Sequence, residues 1–121
     1  MLFKFNNTNN IFVFVACGNN SHINTLNFSL KYLKKFSSNK IIVVTDLSRN
    51  NDNIEHNNII NIKTPKNFDN HQASIWLKTS LHNILPKGPL YCYLDSDIIA
   101  VNQNCNKIFE QFNLSFPRFF L

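Results

Sequence analysis

The chain has 121 residues, 44% of them hydrophobic, and a net charge of +5. That length and composition describe one globular domain and exclude a disordered chain. No apolar run reaches the roughly 18 residues that a membrane-spanning helix needs. The heavy use of Asn, against scarce Gly and Arg, is a compositional bias that carries little functional information.

The first predicted element is "IFVFVAC", residues 11–17, an unbroken run of apolar and β-branched residues. Such a run fits a strand buried on both faces. Lys4 ahead of it faintly resembles the charged start of a secretion signal, but "NNTNN" separates the two, and a buried strand is the better reading. "GNNSH" breaks the strand. Ile23, Leu26, Leu30 and Leu33 then recur at helical spacing, with Phe28 and Tyr32 widening the apolar face and Ser21 placed to cap the start. Lys31, Lys34 and Lys35 on this helix form a basic cluster that reads as a solvated face, so no nucleic-acid partner is expected. A positive balance also suits a phosphate-bearing small ligand.

"KIIVVTD" (40–46) is a second buried strand ending in Asp46. A polar loop or weak helix follows, and then a shorter third strand over 58–64. Residues 71–85 have the pattern of a second helix, stopped by Pro86 and by Gly88-Pro89. Trp76 on it is expected in the core. "LYCYL" (90–94) is the fourth strand, "DIIAV" (97–101) continues as a short fifth, and 104–112 is a short helix. Strands that alternate with helices imply an α/β fold with a mostly parallel sheet covered on both faces. In such sheets ligands bind beyond the carboxyl ends of the strands, near the switch in strand order. That edge gathers "ACGNN", Asp46 and "DSD".

Cys17, Cys92 and Cys105 are an odd number without disulfide-like spacing. Free thiols, a reducing compartment and a cytoplasmic location follow as expectations. His22, His56, His71 and His82 show no metal-ligand pattern. Asp46 stands where dinucleotide enzymes keep an acidic ribose binder, but with Gly18 and Gly88 as the only glycines there is no glycine-rich fingerprint to accompany it.

Asp95 and Asp97 pose a physical question, because they interrupt the most apolar stretch of the chain. Adjacent carboxylates repel, and burial penalises their charge. A divalent cation resolves both problems. Mg2+ and Mn2+ prefer oxygen ligands and are commonly held by one or two carboxylates plus substrate phosphates. At a strand end Asp95 and Asp97 fall on one side with Ser96 between them, and a turn can bring both to one ion.

"LPKGPLYCYLDSDIIAV" resembles the Asp-x-Asp signature of nucleotide-sugar glycosyltransferases of the GT-A fold, most of all glycosyltransferase family 8, the group of glycogenin and the lipopolysaccharide galactosyltransferases. "SIWLKTSLHNIL" resembles the helix before that signature, and "FVFVACGNN" and "NFSLKYLKK" resemble the first strand, nucleotide loop and following helix. The likeness covers about residues 11–112. It implies a Rossmann-like half-domain with strand order 3-2-1-4. It implies transfer of a hexose from a nucleotide sugar, UDP-linked by the same likeness, to a glycan acceptor such as a cell-surface glycan. Asp95 and Asp97 would hold Mn2+ or Mg2+. Ala16, Cys17 and Asn19 would hold the base, Lys78 would face the phosphates, and Asp95 and Ser96 would approach the nucleotide. The family's later half, with its third metal ligand and acceptor site, has no counterpart here, so the chain is expected to be the N-terminal part of such a domain. The residues themselves leave two alternatives open. One is a non-catalytic nucleotide-binding remnant. The other is a phosphohydrolase of the haloacid dehalogenase type, with Asp95 as nucleophile and Asp97 as acid/base.

Overall fold

The structure is a computed structural model that describes residues 10–113, with side chains through Glu110. The sequence reading on Lys4 lies outside these residues. Four parallel strands form one sheet in the order β3-β2-β1-β4. They are β1 (Asn10–Val15), β2 (Lys40–Thr45), β3 (Ile59–Asn61) and β4 (Leu90–Leu94), joined by α1 (Asn20–Phe36) and by α2 (Asn70–Thr79) with α3 (Leu81–Ile84). A 3₁₀ turn, Leu47–Arg49, follows β2, and a long 3₁₀ helix, Gln103–Asn113, closes the described chain. The α/β class is as expected from the sequence, and so is the strand order that the family likeness implies.

Apart from Asn10, Lys40 and Thr45 at their ends, the two central strands are apolar, because both of their faces are covered. Phe12, Phe14, Ile41 and Val43 face α1 and the closing 3₁₀ helix, packing on Ile23, Leu26, Leu30, Leu33 and Phe109. The Phe12 and Phe109 rings meet edge to face at 4.8 Å, the arrangement their quadrupoles favour. Ile11, Val13, Val15, Ile42 and Val44 face the other way, onto Ala73 and Leu77 of α2, with Trp76 partly buried beside them. Alternation along each strand thus fills two separate cores, one per helical layer.

Four local expectations are corrected. α1 starts from Asn19 rather than Ser21, and the Asn19 side chain makes no capping bond. Phe28 does not widen the buried stripe. It is half exposed and packs against Tyr32 on the outer side of α1. The helix expected over 71–85 breaks at Ser80 into α2 and α3. The Thr79 hydroxyl donates to the Ile75 and Trp76 carbonyls, the back-bonding that bends helices. Finally, 97–101 is no strand. The Ile98 amide donates to the Asp95 carbonyl at 3.0 Å, closing a β-turn that carries the chain away from the sheet.

Candidate functional site

The order β3-β2-β1-β4 means the chain leaves β1 in one direction for β2 and β3, then returns to its other side for β4. The switch point is therefore between β1 and β4. Their register pairs Phe14 with Leu94, so the residues that follow, Ala16 to Asn19 on one strand and Asp95 to Asp97 on the other, emerge side by side at the carboxyl edge. Crevices at that place are where doubly wound sheets bind ligands.

Asp95 is the first residue of the β-turn, a position that favours Asp, and Ile98 is the last. The buried Ser29 hydroxyl of α1 donates to the Ser96 carbonyl at 2.5 Å and anchors the turn from below. Asp95 and Asp97 are both exposed. The Tyr93 hydroxyl donates to Asp95 Oδ1 at 2.9 Å. Burial, then the hydrogen bond and charge of Asp95, then the charge of Asp97, push that hydroxyl well above the usual phenol range. Lys78 Nζ lies 3.7 Å from Asp95 Oδ1 and 5.9 Å from the centre of the Tyr93 ring. With side chains 42% and 59% exposed, the Lys78–Asp95 pair is worth at most about 1 kcal/mol. An incoming cation or phosphate can displace it.

The turn at the end of β1 is held from three sides. Gly18 has φ +104°, and a Cβ there would stand 2.6 Å from the Asn70 side chain. The Gly18 amide donates to Asn50 Oδ1 at 2.7 Å, and Asn50 Nδ2 donates to Thr45 Oγ1 at 2.9 Å. Ala16 and Cys17 are buried, and the Cys17 thiol shares a 3.5 Å hydrogen bond with the Ser74 hydroxyl. Of the three residues expected to hold a base, Asn19 is the one with exposed surface. The helix ends at this edge differ. α2 is closed by a capping box between Asp69 and Gln72, whereas α1 has no side-chain cap and no acidic residue in its first turn. The positive end of the α1 dipole is therefore the open one.

Asp46 is a different kind of acid. It is buried, and Ser48 and Thr64 each donate an amide and a hydroxyl to it. Arg49 Nε stands 3.4 Å away. Burial alone would raise its carboxyl, but these hydrogen bonds outweigh burial and hold it well below the usual carboxylate range. Arg49 goes on to donate to Thr64 Oγ1, the Phe68 and Pro65 carbonyls and Asn70 Oδ1. Asp46 thus secures the connection between β2 and α2, with no coordination left for a ribose.

Sequence reasoning missed Tyr93 and Ser29. Both had a signal. Tyr93 is two residues before Asp95, hence on the same side of β4, and Ser29 is a polar residue inside the apolar stripe of α1. Among the described residues no group of three or more His, Cys, Asp or Glu side chains converges. The Asp95–Asp97 turn offers two exposed carboxylates, enough for Mn2+ or Mg2+ when phosphate oxygens complete the shell. No family model, curated protein or solved structure matches the chain.

Proposed function

We propose that the carboxyl edge between β1 and β4 binds a nucleoside diphosphate together with a divalent cation, and that it is the donor-binding part of a glycosyltransferase acting on a nucleotide sugar. The observation that carries this reading is the emergence of an exposed Asp-x-Asp turn at the switch point of a doubly wound sheet, beside the uncapped start of α1. The likeness of "YLDSD" and its flanks to glycosyltransferase family 8 gives the reading its substrate class, a UDP-hexose, and its acceptor class, a glycan.

In this reading Asp95 and Asp97 hold Mn2+ or Mg2+, Tyr93 orients Asp95, and Lys78 leaves Asp95 for the phosphates. Asn19 and the first turn of α1 face the nucleotide. The cation, when bound, supplies Lewis-acid stabilisation of the leaving diphosphate. Calorimetric titration with UDP tests these roles. Asp97→Ala should abolish the part of UDP affinity that depends on Mn2+. Lys78→Ala should weaken binding by a similar factor with and without metal. Hydrolysis of simple phosphomonoesters, lost in Asp95→Asn, would instead support the phosphohydrolase.

A further inference from the structure

Asn19 stands at the start of α1, where an Asn side chain ordinarily accepts from its own helix. It does not do so here. Its Oδ1 instead accepts from Asn70 Nδ2 of α2, 3.5 Å away across the Gly18 turn. Asn70 is fixed in turn. It packs so closely on Gly18 that a Cβ there would stand 2.6 Å from its Nδ2, and its Oδ1 accepts from Arg49 at 3.2 Å. Arg49 itself is pinned by Thr64, by the Phe68 and Pro65 carbonyls and by Asp46.

The chemistry of these groups dictates how both amides are turned. A guanidinium has donors only, so the Asn70 atom that faces Arg49 must be its oxygen. The Asn70 nitrogen is then left for Asn19, and the Asn19 atom that meets it must be an oxygen. That leaves the Asn19 amide nitrogen, on an exposed side chain, as a donor without a partner among the described residues. We propose that Asn70 is a positioning residue that sets the polarity of the base site. Through it, Asn19 offers an N–H donor and selects a base bearing a carbonyl over one bearing an amino group. The inference rests on the reading of this edge as a nucleoside diphosphate site. Uracil has a carbonyl where cytosine has an amino group, and a donor that faces an amino group leaves both unsatisfied.

UDP and CDP share their ribose and phosphates, so the ratio of their affinities cancels whatever a variant does to those groups or to the cation. Calorimetric titration of the wild-type chain with Mn2+ should find UDP about tenfold tighter than CDP, the worth of one hydrogen bond kept against one lost. Asn70→Asp keeps an acceptor for Arg49 but turns an oxygen on Asn19. The Asn19 amide then reverses, donates to that oxygen and offers its own to the base. The ratio should fall about tenfold, to parity, with a melting midpoint close to that of the wild type. Asn19→Asp, at an exposed position, should lower the ratio likewise. A loss of packing alone would weaken UDP and CDP equally. An unchanged ratio in either variant overturns the proposal. If only Asn70→Asp leaves it unchanged, Asn19 reads the base unaided, and if both do, the base is read elsewhere. A wild-type chain that binds UDP and CDP equally overturns the proposal and leaves the nucleotide site standing, whereas one that binds neither with Mn2+ removes both.

Discussion

Two acidic residues at the same sheet edge behave in opposite ways, and their partners explain why. Asp46 is saturated by Ser48, Thr64 and Arg49, so it serves the fold. Because its carboxyl is held below the usual range, the folded chain keeps it ionised where an unfolded chain has taken up a proton. The stability this contributes is complete above the unfolded value of 3.8 and is lost as pH falls below it towards the folded value. Urea melts between about pH 5 and pH 3 should show a loss in the wild type that is smaller in Asp46→Asn. That variant should also be less stable at neutral pH by about 3 kcal/mol, since it leaves Arg49 unpaired. Equal losses across the acid range would contradict this role. Asp95, by contrast, is exposed, and among the described residues its carboxylate meets only the Tyr93 hydroxyl and the Lys78 ammonium. If Tyr93 orients it for a cation, Tyr93→Phe should lower Mn2+-dependent UDP affinity several-fold, on the scale of losing one hydrogen bond to a charged group. The melting midpoint should stay near that of the wild type, and calorimetry with thermal melts measures both quantities.

Among the elements, the β1–α1 turn is the most constrained. Gly18 and Gly88 both have positive φ, +104° and +117°, but a Cβ at Gly88 would meet nothing within 4 Å while one at Gly18 would strike Asn70. Gly88→Ala should therefore cost only the backbone term, about 1–2 kcal/mol. Gly18→Ala should cost more, about 3 kcal/mol, because Asn70 and the start of α2 must also shift. Chemical denaturation of the two variants compares them, and equal costs would mean that the loop yields easily. Periodicity made most elements legible. The continuous apolar runs of β1 and β2 read best as buried strands, and the stripe of Ile23, Leu26, Leu30 and Leu33 as a helix. What it missed depends on bonds that spacing does not encode. "DIIAV" has the composition of a strand, but the amide of Ile98 is tied back to Asp95. The pattern across 71–85 continues through Ser80, but the Thr79 hydroxyl takes backbone carbonyls and bends the helix there.

For the molecule as a whole, the doubly wound order brings distant stretches to one crevice. Asp95 and Asp97 were visible in sequence as charges inside an apolar run, and their place at an edge followed from the fold class. The burial of Cys17 followed from its place in the first apolar run, and Tyr93 and Ser29 were signalled only by their positions in β4 and in the stripe of α1. The saturation of Asp46 was not visible, because it depends on Ser48, Arg49 and Thr64 meeting it in the fold. Among the described residues no helix is long and apolar enough to cross a membrane, and Cys17, Cys92 and Cys105 are free thiols. The central claim is that the Asp95–Asp97 turn joins a cation to a diphosphate. If so, cation and nucleotide must strengthen each other's binding, since the carboxylates supply only part of the cation's shell. Calorimetric titration of UDP into the wild-type chain, once with Mn2+ and once with excess chelator, measures that coupling. The account predicts at least about tenfold tighter binding with the metal, and equal affinity in the two titrations would contradict it.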